Sequence, residues 1–216
     1  MKQILVYSDS ISWGIIPMTR NRFAFDQRWP GILEINMNKA GKKIRVIEDC
    51  LNGRRTMYED PIRPGRNGLN GLGQRIELNS PLSLIILMLG TNDFQANHPH
   101  TAEDAAKGMS ALIQAIRSTV LEPDMETPEI LVIAPPPILR PQGGIANKFK
   151  GSEQKCIGLA DAYKKLCKEM NCHFFDAASV TTSSKVDGVH FDADQHIVFG
   201  HAITNFILSN FNHFDH

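Results

Sequence analysis

The stretch Leu84-Ile85-Ile86-Leu87-Met88-Leu89-Gly90-Thr91-Asn92-Asp93 decides the fold. A run of apolar residues without alternation suits a strand buried on both faces, as in the middle of a parallel sheet. The Gly-Thr-Asn-Asp that follows ends the run in a turn and delivers polar groups to the strand's carboxyl end, where ligands gather in open α/β sheets. Working outward, five strands are predicted: Gln3 to Tyr7, Ile44 to Asp49, Leu82 to Leu89, Glu129 to Ala134 and His173 to Asp176. Between them lie helical patterns. The clearest runs from Ala102 to Leu121, where Ala105, Met109, Leu112, Ile113 and Ile116 recur at three- and four-residue spacing behind a Thr101 cap and an acidic first turn. Other helices are predicted from about Pro30 to Ala40, Ser152 to Met170 and Ala193 to Asn210. Alternation of strand and helix argues for an α/β domain, a parallel sheet wrapped by helices. The segment Arg54 to Ser80, rich in Gly, Asn, Arg and Pro, reads as a long loop, either a functional rim or a cover.

At 216 residues the chain has material for one domain with a substantial core. That domain is expected over 1–212, with a flexible tail at 213–216. Lysine plus arginine and aspartate plus glutamate both number 23, so no global field attracts nucleic acid or an anionic membrane. No run approaches the roughly 18 apolar residues of a membrane span. The amino terminus enters the strand Ile4-Leu5-Val6 without the basic flank, long apolar region and cleavage site of a signal peptide, and the chain reads as cytoplasmic. Cys50, Cys156, Cys167 and Cys172 lack CxxC spacing and read as free, structural thiols. His98-Pro99-His100 lacks further ligands at familiar metal spacing and reads as a surface loop. Neither a metal nor a cofactor is expected.

The chemistry-bearing residues sit at the two ends of the chain. Ser10 follows the first strand, and Asp187-Gly188-Val189-His190 lies near the carboxyl end. A serine hydroxyl is a weak nucleophile that needs an imidazole to take its proton and a third group to fix the imidazole tautomer. Aspartate three residues before histidine supplies that third group locally. The backbone N–H groups of Ser10 and Gly53, with the Asn92 amide, can hold a developing oxyanion. Ser8 and Ser12 are rival hydroxyls, Ser8 foremost. Asp9 reads as a turn carboxylate that accepts backbone N–H bonds, and Asp93 as a group that orders its loop. Trp13 either lines a pocket or plugs the core. The arginines at 54, 55, 63 and 66 either meet an anionic group or pair with Glu59 and Asp60.

The blocks Ser8-Asp9-Ser10, Gly53, Gly90-Thr91-Asn92-Asp93 and Asp187-Gly188-Val189-His190, in this order, resemble the SGNH or GDSL-type hydrolases. Within that family, Trp13-Gly14, Arg28-Trp29, Arg66-Asn67-Gly68, Met88 to Asp93, Gly151 to Lys155 and Phe174-Phe175-Asp176-Ala177 are similar to the arylesterase and acyltransferase branch. The chain departs from the family where Ser8 replaces the usual glycine. The resemblance implies a flavodoxin-like, three-layer α/β/α sandwich on a five-stranded parallel sheet. It implies Ser10, Asp187 and His190 as catalytic residues, and Ser10, Gly53 and Asn92 as the oxyanion hole. Trp13 would be a substrate-binding residue that restricts the acyl group. The implied activity is hydrolysis of short-chain or aryl esters, with acyl transfer or perhydrolysis beside it and assembly into homo-oligomers. Two readings stand against it: a carbohydrate O-acetylesterase, and a catalytically silent binding module of the same fold.

Overall fold

The computed structural model describes residues 1–215. Five parallel strands form one sheet in the order β2-β1-β3-β4-β5, with β1 at Lys2–Ser8, β2 at Ile44–Cys50, β3 at Leu84–Met88, β4 at Glu129–Ala134 and β5 at His173–Asp176. Side chains alternate between faces along each strand. Leu5, Tyr7, Ile85, Leu87 and Val132 therefore point into one core, shared with α3 (Leu72–Asn79), α4 (Ala102–Ser118) and α6 (Leu159–Glu169). Ile4, Val6, Leu84, Ile86, Met88, Leu131 and Ile133 point into the other, shared with α2 (Trp29–Lys39) and α7 (Ala193–Asn210). The result is the three-layer α/β/α sandwich, completed by the short helices α1 (Ser10–Trp13) and α5 (Ser152–Lys155).

Register aligns the chain's polar turns. Ser8 pairs with Cys50 on one side and Met88 on the other, so β1, β2 and β3 end together. The segments beginning at Asp9, Leu51 and Leu89 therefore leave the sheet side by side. Strand β1 lies between β2 and β3, where the order of strands reverses, and this is the position at which such sheets bind ligands.

Three expectations change. The helix predicted from Ser152 to Met170 is two, separated by a turn ending at Gly158, whose φ of +85° does not continue a helix. Within the predicted loop from Arg54 to Ser80, α3 forms on only two buried apolar residues, Leu72 and Ile76. The end of the chain, expected as a flexible tail over 213–216, forms a single turn at Asn212–Asp215 that buries Phe214 in the α2/α7 core. His216 lies outside the described residues.

Candidate active site

Asp9 starts the site. Its Oδ1 accepts the Ile11 N–H at 2.9 Å and so caps α1, which leaves Ser10 as the first helical residue. Among the described residues the Ser10 N–H and the Gly53 N–H donate to no protein acceptor. The Ser10 Oγ lies 3.0 Å from His190 Nε2, and His190 Nδ1 lies 2.7 Å from Asp187 Oδ2. The other Asp187 oxygen accepts the N–H groups of Val189 and His190, both at 2.9 Å. Burial raises the Asp187 carboxyl pKa, but its bonds to His190 and to these N–H groups outweigh burial and hold it below the ordinary value. The carboxylate thus accepts from Nδ1–H and turns the Nε2 lone pair to the serine.

The Asp187 to His190 turn depends on Gly188. Its φ is +83°, and a Cβ there would meet the Arg140 carbonyl oxygen at 2.5 Å. The facing loop clasps the turn through Leu139 N–H to Gly188 O at 2.9 Å and Gln142 N–H to Asp187 O at 3.0 Å.

The rival serines are occupied elsewhere. Trp29 Nε1–H donates to Ser12 Oγ at 3.1 Å, Ser12 and Ser8 share a bond of 2.6 Å, and Ser8 donates to the Met88 carbonyl at 2.7 Å. Both are fully buried, whereas Ser10 is 8% exposed. Serine at position 8 is accommodated because its backbone φ is not positive, so no glycine is needed there.

Asn92 departs from a simple oxyanion donor. Its Nδ2 donates to Asp9 Oδ2 at 2.9 Å and to the Arg54 carbonyl at 3.2 Å, which engages both protons. Its orientation is set by a buried chain that the sequence did not reveal. Gln95 Nε2 donates to Asn92 Oδ1 at 2.8 Å, Arg55 Nη2 donates to Gln95 Oε1 at 2.7 Å, and Arg55 pairs with Asp60 at 3.3 Å. Asp93 accepts from the Thr56 N–H and hydroxyl at 3.0 and 2.6 Å and so orders the loop. Burial pushes Asp9 up to about 6 and Asp93 up to about 7, in both cases against hydrogen bonds that favour the carboxylate.

Asp187 and His190 border a cavity of about 410 Å³ lined also by Ile15, Met18, Arg20 and Ile145. Trp13 is absent from that lining. It packs half-buried against the α2/α7 core, with the Arg22 guanidinium 4.8 Å from its ring centre. Ile15, Met18 and Ile145 supply the apolar lining of that cavity. Arg54 and Arg55 are also buried. Arg54 bonds Asp49 at 2.7 Å and the Ser8 carbonyl at 3.0 Å while lying 3.8 Å over Tyr7. His100 stacks on both Tyr58 and His98. Among the described residues no group of three His, Cys, Asp or Glu side chains is arranged to hold a metal, and no helix is long and apolar enough to cross a membrane.

Residues 9–199 match the model of the GDSL-like lipase/acylhydrolase family. Among solved structures, an aryl esterase of M. smegmatis shares 36% identity at a TM-score of 0.91, covering 97% of this chain and 99% of that one. A carbohydrate acetylesterase family member from Sinorhizobium meliloti shares 34% identity at a TM-score of 0.90, over 97% and 98% of the two chains. A second carbohydrate acetylesterase from that organism shares 31% at 0.91, over 98% and 100%. No curated protein matches the chain by sequence.

Proposed function

From the premise that this chain belongs to the GDSL-like lipase/acylhydrolase family and is a carboxylic ester hydrolase, we propose that Ser10 is its nucleophile, with His190 as base and Asp187 as the group that orients His190. The observation that carries this reading is the continuous chain from Asp187 Oδ2 to His190 at 2.7 Å and on to Ser10 Oγ at 3.0 Å.

His190 Nε2 takes the hydroxyl proton as Oγ attacks the ester carbonyl, and Asp187 stabilises the imidazolium. The carbonyl oxygen gains negative charge and is met by the Ser10 and Gly53 N–H groups. Asn92 Nδ2 joins them by giving up its longer bond, to the Arg54 carbonyl. One such donor contributes about 3–4 kcal/mol to transition-state stability. Collapse breaks the bond to the alkoxy oxygen, which leaves with the His190 proton. Water, deprotonated by His190, then attacks the acyl-Ser10 ester and releases the acid.

Short acyl groups and aryl esters are the proposed substrates. Ile15, Met18 and Ile145 give the cavity beside His190 apolar walls that suit an aryl leaving group, and an aryl esterase is among the similar structures. An alcohol that entered in place of water would be acylated in the second step. Acetylated carbohydrates are the second reading, favoured by the similarity to two carbohydrate acetylesterases. Assembly into homo-oligomers, which the resemblance to the arylesterase branch implies, is tested by light scattering.

The test of the nucleophile is p-nitrophenyl acetate hydrolysis by the wild type and by Ser10→Ala, with folding checked by circular dichroism. Turnover that vanishes in the variant supports the assignment, and equal rates overturn it. Release of acetate from an acetylated sugar faster than from phenyl acetate would favour the second reading.

A further inference from the structure

The entrance to this site carries cations that make no direct ion pair. Arg20 is exposed and lines the cavity together with Asp187 and His190. On the side of Gly53, a Cβ at that glycine would have Arg66 Nε at 3.8 Å and Arg63 Nη1 at 3.9 Å. Arg66 spends its donors on neutral carbonyls, Nε on Asn52 O at 3.0 Å and Nη1 on Pro64 O at 3.2 Å. Lys148 lies within the field of both Arg63 and Arg20. Its pKa is lowered by desolvation, while Asp60 pulls it up and Arg63, Arg55 and Arg20 push it down. Among the described residues no carboxylate oxygen lies within 4.0 Å of the charged nitrogens of Arg20, Arg63, Arg66 or Lys148.

The nearby acids are already engaged. Asp60 pairs with buried Arg55 and accepts the N–H groups of Ile62 and Arg63 at 3.0 and 3.2 Å. Glu59 Oε1 accepts the N–H groups of Asp60 and Arg66 at 3.0 and 2.9 Å. Four cations, Arg20, Arg63, Arg66 and Lys148, thus outnumber the two neighbouring acids, Glu59 and Asp60, and Asp60 is shared with Arg55. A cleft lined by one sign of charge gathers ligands of the other.

The geometry fixes which part of an ester meets this charge. His190 Nε2 must deliver its proton to the departing oxygen, so the leaving alcohol occupies the His190 side, where Arg20 lines the cavity. We propose that the preferred ester carries an anionic group, such as a carboxylate, on its leaving alcohol, held by Arg20, with Arg63 and Lys148 adding to the surrounding positive field. This deepens the esterase reading above and rests on it.

The test separates binding from chemistry. Ser10→Ala is titrated at neutral pH with intact phenyl acetate, with 4-acetoxybenzoate, whose charge is on the leaving group, and with monophenyl succinate, whose charge is on the acyl group. The expected result is binding of 4-acetoxybenzoate about tenfold tighter than of the other two at low ionic strength. That preference falls toward one in high salt and when Arg20→Gln and Arg63→Gln are added. Equal binding of all three, a preference for the succinate ester, or a preference that survives loss of both arginines overturns the proposal. Turnover of phenyl acetate by the wild type reports the Ser10 chemistry alone, so the anion site and the nucleophile fail separately.

Discussion

Ser8 Oγ lies 2.6 Å from Ser12 Oγ in a fully buried pair, and both hydroxyls are turned away from His190. Ser8→Ala therefore tests structure rather than chemistry. It removes the donor to the Met88 carbonyl and the acceptor of the Ser12 hydroxyl, at a stability cost of about 1–3 kcal/mol. Urea denaturation is expected to show that loss, while esterase activity per folded molecule stays near wild type.

Asp187→Asn is expected to lower kcat by about 10⁴-fold with little effect on folding, the size known for the equivalent change in a serine protease. One oxygen must stay in place to accept the Val189 and His190 N–H groups, so the new NH₂ replaces Oδ2 and points at His190 Nδ1. The imidazole then carries its proton on Nε2 and cannot take one from Ser10. Steady-state kinetics beside a thermal melt measure both effects.

Gln95 touches no reacting atom, yet it holds the Asn92 amide oxygen and thereby aims Nδ2. Gln95→Leu is expected to reduce kcat on the order of tenfold with KM little changed, because a misaligned donor weakens the transition state more than the substrate complex. It also leaves Asn92 Oδ1 without its partner in a buried site, which costs about 1–3 kcal/mol. A change confined to KM would remove Gln95 from this positioning role.

Asp93 sets a pH dependence of stability. The unfolded chain releases this proton near 3.8 and the folded chain only near 7, so the folded state holds more protons between those values and loses stability as pH rises through them. The difference is on the order of a few kcal/mol. Asp9 acts in the same direction up to about 6. Asp93→Asn keeps an oxygen for the Thr56 N–H and is expected to flatten the melting profile between pH 6 and 7, leaving the Asp9 slope below it.

The strands and their polar turns were legible because each is written in contiguous residues. Leu84 to Met88 is apolar at every position, and the block after it begins where the apolar run stops. The Asp187–His190 pair was legible for the same reason, its partners lying three residues apart. What escaped is what depends on distance along the chain. Arg55 and Gln95 meet across 40 residues, and nothing local in either predicts it. Helix α3 hides in polar surroundings because two buried residues suffice to dock one face. Sequence left Trp13 between pocket and core, and the short helix α1 leaves it half-buried against the α2/α7 core.

Ser10 and His190 are separated by 180 residues. A ribosome makes the hydroxyl 180 residues before the imidazole. Until β5 has been laid against β4 and the following turn has settled beside Arg140, the Ser10 hydroxyl has no imidazole beside it. The long span thus ties the Ser10–His190 contact to the folded sheet, since neither residue can reach the other through local structure.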